Sequence, residues 1–296
     1  MLDEYASSLS YRLKWAYLLG IVFVLLVPVF FNFYVSFNEY GFAAANYKFT
    51  LDWYFVVFDD SQLKAAFGWT LFLAAITVVL SVPAGVLTAK LFKHSERKVL
   101  ILSLMLLPLF VPSDIFASAL LVFFKNLNRG FELLSDMLGT EWFYGWFELG
   151  FMTAVIGLVI YTLPYVFIVT LITMGRFHDQ QTEAARSCGA SGWRAFWDIE
   201  FPQIRAGIFS AAAFVVILTF NEYTRTSMLK GGFDTFTTVL VSQMLNTGMS
   251  EQSYAMGGIV SFAAMLVIGT IIIGTLFRSE GLEKIARAKN TPDMSG

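Results

Sequence analysis

GFMTAVIGLVIYTLPYVFIVTLITMG, residues 150–175, contains no charged side chain. A helix needs about 20 mostly apolar residues to cross a hydrocarbon core ~30 Å thick. Within lipid the backbone must satisfy its own N–H and C=O groups, so a run of this length is read as a membrane helix. Polarity does not alternate at every second position, which argues against a strand. Working outward, similar stretches occur at Trp15–Phe37, Ala66–Leu91, Val99–Phe124, Gly207–Tyr223 with a polar approach, and Tyr254–Phe277. The expected fold class is therefore all-α: a polytopic membrane protein with six transmembrane helices. It would comprise an N-terminal segment 1–14, a membrane domain 15–278 interrupted by a loop at 176–205, and a tail 279–296.

Composition agrees. Of 296 residues, 57% are hydrophobic and 14% charged, against about 25% charged in ordinary soluble domains. A net charge of -2 gives no argument for nucleic acid as a partner. One cysteine, Cys188, excludes an intramolecular disulfide and a cysteine-cluster metal site. His94 and His178 lie in predicted loops without a second ligand nearby, so both are read as solvated. The first apolar stretch follows Arg12 and Lys14. It is too long for a signal-peptide core and lacks a small-x-small cleavage site, so it is read as a retained anchor.

Basic residues set the expected orientation. They gather before the first span (Arg12, Lys14), between the second and third (Lys90, Lys93, Arg97, Lys98), between the fourth and fifth (Arg176, Arg186, Arg194, Arg205) and in the tail (Arg278, Lys284, Arg287, Lys289). Positive charge stays inside, so both termini are expected in the cytoplasm and the basic tail on the inner leaflet. The other connections carry acids such as Asp59, Asp60, Glu141 and Glu148, and aromatics at Trp53–Phe55 and Trp142–Phe147. The aromatics suit an interfacial belt or, alternatively, a lid or docking surface. Thr235–Leu245 is apolar but half a span long, which suits a re-entrant or interfacial segment.

The loop 180–204 reads QQTEAARSCGASGWRAFWDIEFPQI. Thr182 is placed to cap a short helix containing Glu183, Ala184, Ala185 and Cys188. Gly189 is placed to end it with a left-handed turn. A second short helix is expected over Trp193–Ile199. Pro202 is expected to push Phe201 out of helical geometry and separate this unit from the fifth span. Small residues allow close approach of another backbone, and Glu183, Arg186 and Arg194 can pair at its rim. The layout suits a knob for a soluble partner; an amphipathic loop resting on headgroups fits the spacing equally well.

Glu183-Ala184-Ala185, then Gly189 after three residues, then Phe196, Ile199 and Pro202, resembles the EAA loop of binding-protein-dependent ABC importer permeases. Cys188 and Phe201 stand where aliphatic residues are more usual. Residues Phe49–Tyr54, the pair Pro108 and Pro112, and Tyr161–Pro164 look like the polyamine/opine-type (spermidine/putrescine permease-like) branch. The resemblance covers residues 15–278 and implies a MetI-like fold in a bacterial inner (plasma) membrane. It implies that Glu183, Ala184, Ala185, Arg186, Gly189 and Pro202 belong to the surface that couples to a cytoplasmic ATPase. It further implies a second permease chain of like fold, usually a different one, two ABC ATPase subunits that bind ATP and Mg, and an extracytoplasmic solute-binding protein. The chain itself has no G-x-x-x-x-G-K-[ST] phosphate loop, no H-E-x-x-H and no nucleophile elbow. No catalytic residue, metal ligand or cofactor site is assigned to it.

Polar groups within spans are expensive, about +2.5 to +3.5 kcal/mol for an Asp near a helix centre. Asp114 follows Pro108 and Pro112, which can kink or open the third span. Tyr161 precedes Pro164. Asn221, Glu222 and Arg225 close the fifth span. These five are candidate pathway residues. Glu222 is read either as a substrate-facing carboxylate or as the partner of Arg225, and Asp114 either as pathway or as an interfacial group. In polyamine-type relatives an acidic pair often stands where Asn221 and Glu222 stand. Only one acid is present here, which weakens a dicationic polyamine and leaves amino-acid- or sugar-derived solutes open. Gly257, Gly258, Ser261, Ala263 and Ala264 suit close helix packing. The alternative to an ATP-driven importer is an ion-gradient-driven secondary transporter, whose usual repeats and mid-membrane ionisable pairs are not evident.

Overall fold

A computed structural model describes residues 2–42, 46–175, 179–267 and 269–270, with side chains from residue 11 onward. Among these residues there is no β-strand, only an isolated bridge between Asn38 and Phe49. The helices are α1 (Leu2–Ser36), α2 (Asp52–Asp59), α3 (Ser61–His94), α4 (Lys98–Phe110), α5 (Ser113–Leu138) and α6 (Phe151–Met174). There follow α7 (Gln180–Ser187), α8 (Gly192–Ala195), a π-helical turn (Phe196–Glu200), α9 (Phe201–Asn221), α10 (Thr224–Leu229), α11 (Phe236–Thr247) and a final helix, α12, over 251–267.

Four helical stretches among the described residues are long and apolar enough to cross a membrane: Tyr11–Ser36, Ser61–His94, Phe151–Met174 and Gly192–Asn221. The expected third span is not a straight helix. It divides into α4 and α5, which meet at 103° and make a fifth crossing only if counted as one broken span. The cause is local. Pro112 disfavours helical geometry in the residue before it, and Val111 accordingly sits at φ -87, ψ 128, while Pro112 itself precedes α5 at ψ 137. Pro108 stays inside α4. The expected sixth span, Tyr254–Phe277, is helical as far as it is described; Phe277, Arg278 and the tail 279–296 lie outside the described residues, as do Arg176 and His178. Among the described residues the candidate spans number four, or five with the bent pair; the sixth expected span runs on into residues outside them.

The chain divides into two compact units, 1–64 with 240–263, and 65–239 with 264–296. In the first, Asn32 Nδ2 donates to the Tyr254 carbonyl at 3.3 Å, joining α1 to α12. Ser36 Oγ and Tyr54 OH bond at 2.8 Å, and Trp53 Nε1 donates to the Asn38 carbonyl. Phe37 stacks on Phe49 and Tyr54. A Cβ at Gly258 would lie 2.6 Å from Tyr54 OH, so the small residues of the last span admit a neighbour within the chain.

In the second unit α6 is the centre. Its buried residues, from Thr153 to Met174, lie all round the helix rather than along one stripe. Glycines at three of its contacts bring its neighbours close. A Cβ at Gly85 of α3 would fall 2.4 Å from Val166 Cγ1. One at Gly157 of α6 would fall 2.4 Å from Leu229 Cδ1 of α10, and one at Gly207 of α9 would fall 2.0 Å from Thr173 Oγ1. Small residues are the means of helix approach in lipid, where no hydrophobic drive operates between helices. Ser81 Oγ and Thr162 Oγ1 bond at 2.7 Å across the α3–α6 contact, both fully buried. One apolar cluster (Val82, Val86, Phe167, Ile204, Val215 and neighbours) fills the contact of α3, α6 and α9. Another (Leu73, Phe124, Val155, Leu158, Leu229) joins α3, α5, α6 and α10.

Gly207→Val is expected to push α9 off Thr173 and destabilise the purified protein by about 1–3 kcal/mol, the range for overpacked sites. Gly68→Ala, inside α3 with nothing within 4 Å of the new methyl, is expected not to lower the unfolding midpoint in detergent and to raise it slightly, as alanine favours a helix over glycine. Equal melting curves for Gly207→Val and the parent would refute the packing account.

Candidate functional site

The loop 179–205 ends its first helix at Gly189 as expected, but departs from expectation at the start of that helix and again at Pro202. α7 starts at Gln180 rather than at Thr182. Asp179 stands at its N-cap without a side-chain bond, and Thr182 lies inside the helix with its hydroxyl buried and unpartnered, so it caps nothing. Gly189 has φ +90 and ends the helix: its N–H donates to the Arg186 carbonyl and that of Ala190 to the Ala185 carbonyl, both at 3.0 Å. This is the paired arrangement that a left-handed terminal residue allows. Glu183, Ala184 and Arg186 are exposed, and Ala185 is half-buried.

Ser191 then caps the next helix, its Oγ accepting from Arg194 N–H at 3.3 Å. Pro202 does not separate this helix from the fifth span. Phe201 sits at φ -57, ψ -45, and helical structure is unbroken from Gly192 to Asn221. The chain achieves this by widening one turn: over Phe196–Glu200 the bonding becomes i→i+5, and Phe201 N–H donates to the Phe196 carbonyl. A proline inside a helix lacks one donor and crowds the carbonyl four residues back; a π turn spreads those carbonyls apart. Gln203 Nε2 donates to the Ile199 carbonyl at 3.1 Å and also to Gln181 Oε1, tying α7 to α9.

Two ion pairs fasten this loop to α3. With 34 residues at about 1.5 Å each, α3 is roughly 50 Å long, well beyond the hydrocarbon core, and its last turns reach the loop. Lys90 Nζ lies 2.6 Å from Glu200 Oε2 and 4.8 Å above the ring of Phe196. Lys93 pairs with Asp179. The Glu200 side chain is 10% exposed, and Lys90 is the cation paired with it. Outside the pairs, Trp193, Trp197 and Phe201 form a ladder of ring contacts along the exposed side of the helix. Charge counting placed Lys90 and Lys93 at this end of the molecule; it could not identify their carboxylate partners, which lie about 85 to 110 residues away and meet them only through the fold.

At the far end of α9 the candidate pathway residues separate into two groups. Glu222, Arg225 and Tyr161 come together. Arg225 is 4% exposed; its Nη1 lies 3.1 Å from Glu222 Oε1 and 3.0 Å from Ser113 Oγ. Its backbone N–H also donates to Glu222 Oε1, at 2.9 Å. The guanidinium stands 4.1 Å over the Tyr161 ring and 5.7 Å from that of Phe116. Arg225 Nε has no hydrogen-bond partner. Asp114 and Asn221 stand apart from this cluster. Asp114 is exposed in the first turn of α5, and Asn221 is exposed with its Nδ2 donating to the Ile217 carbonyl. Sequence reasoning missed Ser113 and Phe116 in the cluster; only the bend at Val111-Pro112 turns them toward Arg225. No group of three or more potential metal ligands occurs among the described residues.

Residues 81–279 match the family described as binding-protein-dependent transport system inner membrane component. The chain belongs to this family: it is the inner-membrane permease component of an ABC importer, a non-catalytic subunit. A spermidine/putrescine transport system permease protein PotC homolog of Mycoplasma genitalium is 26% identical over 226 residues, 75% of this chain and 74% of that one. The sulfate transport system permease protein CysW of Synechocystis is 24% identical over 270 residues, 89% of each chain. In structure, a chain of a bacterial ABC transporter involved in import of the acidic polysaccharide alginate superposes with a TM-score of 0.63 at 17% identity, covering 90% of this chain and 95% of that one. The MetI-like expectation holds, and the comparisons give no support to the secondary-transporter alternative.

Lys90→Met would strand the Glu200 carboxylate. Removing one partner of a fully buried pair costs about 3–5 kcal/mol; Lys90 is one-third exposed, so about 2–3 kcal/mol is expected. In membrane vesicles with the loop accessible, trypsin should cut faster after Arg186 and Arg194, and Lys90→Met/Glu200→Leu should restore resistance. A single variant as resistant as the parent would show that the pair does not hold the loop.

Proposed function

We propose that this permease is driven through the loop 176–205, with both termini and that loop in the cytoplasm. A soluble ATPase grips the exposed face of α7, where Glu183, Ala184 and Arg186 are uncovered, and its closure moves the helix 192–221 as one body. The single observation that carries this reading is the continuity of that helix through Pro202, because a lever must not flex between its handle and its load. The full assembly comprises a second permease chain, by the resemblance a different one, two ATPase subunits holding ATP and Mg, and a solute-binding protein on the outer side. The loop's basic residues support the orientation.

The solute is a small polar one handed over by the binding protein. The interior charge of this chain says little about its sign: Glu222 is neutralised by Arg225 and is not a free carboxylate awaiting an amine. The two relatives named above are called after spermidine/putrescine and after sulfate, opposite charges on related chains. That pattern supports leaving the choice of solute to the binding protein.

Gly189→Asp should force a residue with a Cβ to φ +90 and misdirect the end of α7; Glu183→Lys should reverse the charge of the exposed face. Each is expected to leave the protein inserted at parental levels while uptake, and co-purification of the ATPase, fall by about tenfold or more, the order set by a coupling free energy of 1–3 kcal/mol. Undiminished uptake by both variants would sink the coupling role.

A further inference from the structure

We propose that Arg225 is a positioning residue for transport, one that fastens the end of the 192–221 helix to the bend between α4 and α5. The proposal rests on the coupling role of the loop stated above and concerns where the motion goes.

Regular helix ends at Asn221, and Glu222 leaves it at φ -84, ψ 108. Backbone alone would let movement of α9 dissipate at this point. The side chains close the gap. Arg225 Nη1 is shared between Glu222, at the end of α9, and Ser113, the first residue of α5 after the Val111-Pro112 break. Its planar face rests on Tyr161 of α6, 4.1 Å away. One buried side chain thus holds three elements, and one of its contacts lies on the break itself. The pair is almost sealed, at 4% and 8% exposure. Letting either ion drift free would leave the other charge desolvated, so this local pair fixes the turn that follows α9, and the Ser113 bond and the Tyr161 ring attach α5 and α6 to that fixed turn. A flat, forked cation is suited to such a junction because it can bond in its plane and stack on its face at once, whereas an ammonium is a point charge on a flexible stem. When the loop end of the helix is displaced, the bend must follow or the cluster must break.

The test reads two cysteines in membranes holding the full chain and its ATPase, before and after trapping with ATP and vanadate. Native Cys188, exposed in the loop, reports the lever. Asp114→Cys in a Cys188→Ser chain, at an exposed position beside Ser113, reports the bend. In the parent chains, trapping is expected to change maleimide labelling at both sites by about fivefold. With Arg225→Lys or Ser113→Ala, the Cys188 response should persist while the response at position 114 disappears. A response at 114 that survives both variants overturns the proposal, as does a silent 114 beside a responsive Cys188 in the parent. Equal loss at both sites, with falling ATPase co-purification, shows a merely structural role and also overturns it. Silence at Cys188 in the parent removes the coupling reading as well, which separates the two failures.

Discussion

Pro202 has no N–H to donate, and it stands where a membrane helix takes shape. A proline inside a helix also crowds the carbonyl four residues back, so the chain must either stop the helix there or rearrange its bonding. It rearranges. The widened turn over Phe196–Glu200 keeps Gly192–Asn221 continuous, places Glu200 against Lys90 and presents the rings of Trp193, Trp197 and Phe201 along one side. Replaced by a flexible joint, the turn would leave the loop's ion pairs holding a separate domain instead of the end of a span.

The rest of the second unit holds that rod against α6. α6 receives it along a contact closed by Gly207 against Thr173, and receives α3 and α10 through Gly85 and Gly157. Apolar side chains and hydroxyls fill the middle, including the buried Ser81–Thr162 bond. The ionic contacts lie toward the ends: Lys90–Glu200 and Lys93–Asp179 at one, Glu222–Arg225 and Lys230–Asp234 at the other. This division follows from the solvent. A desolvated charge must have a partner, and partners are easiest to supply where spans meet connections.

The apolar stretches announced helices because length and charge density are summed properties, insensitive to tertiary detail. Gly189 was legible for a similar reason: a glycine after a helical run that must end is a local signal. The bend at Val111-Pro112 was half legible, since the proline flags a weak point but not the angle. Pro202 misled because the rule for the residue before proline describes ordinary α geometry, and a single π turn escapes it. Thr182 misled because threonine suits a cap only if the helix starts after it; the helix here starts two residues earlier. Arg225 could be paired with Glu222 from spacing alone, three residues apart. Ser113 and Phe116, more than a hundred residues distant, carry no mark in the sequence of where they will stand.

The π turn also fixes an angular phase. Each residue of an α-helix advances the side-chain direction by about 100°, and a π turn amounts to one extra residue accommodated within the cylinder. The tryptophan face before Phe196 and the glycine face at Gly207 therefore keep nearly the phase that a plain α-helix one residue shorter would give them. Shortening the chain by one residue at this point would return the turn to ordinary α geometry with both faces pointing nearly as before, but would leave Pro202 crowding the carbonyl four residues back with one bond unmade. The wide turn thus lets the chain carry one more residue, and a proline beside it, without re-aiming the handle against the span.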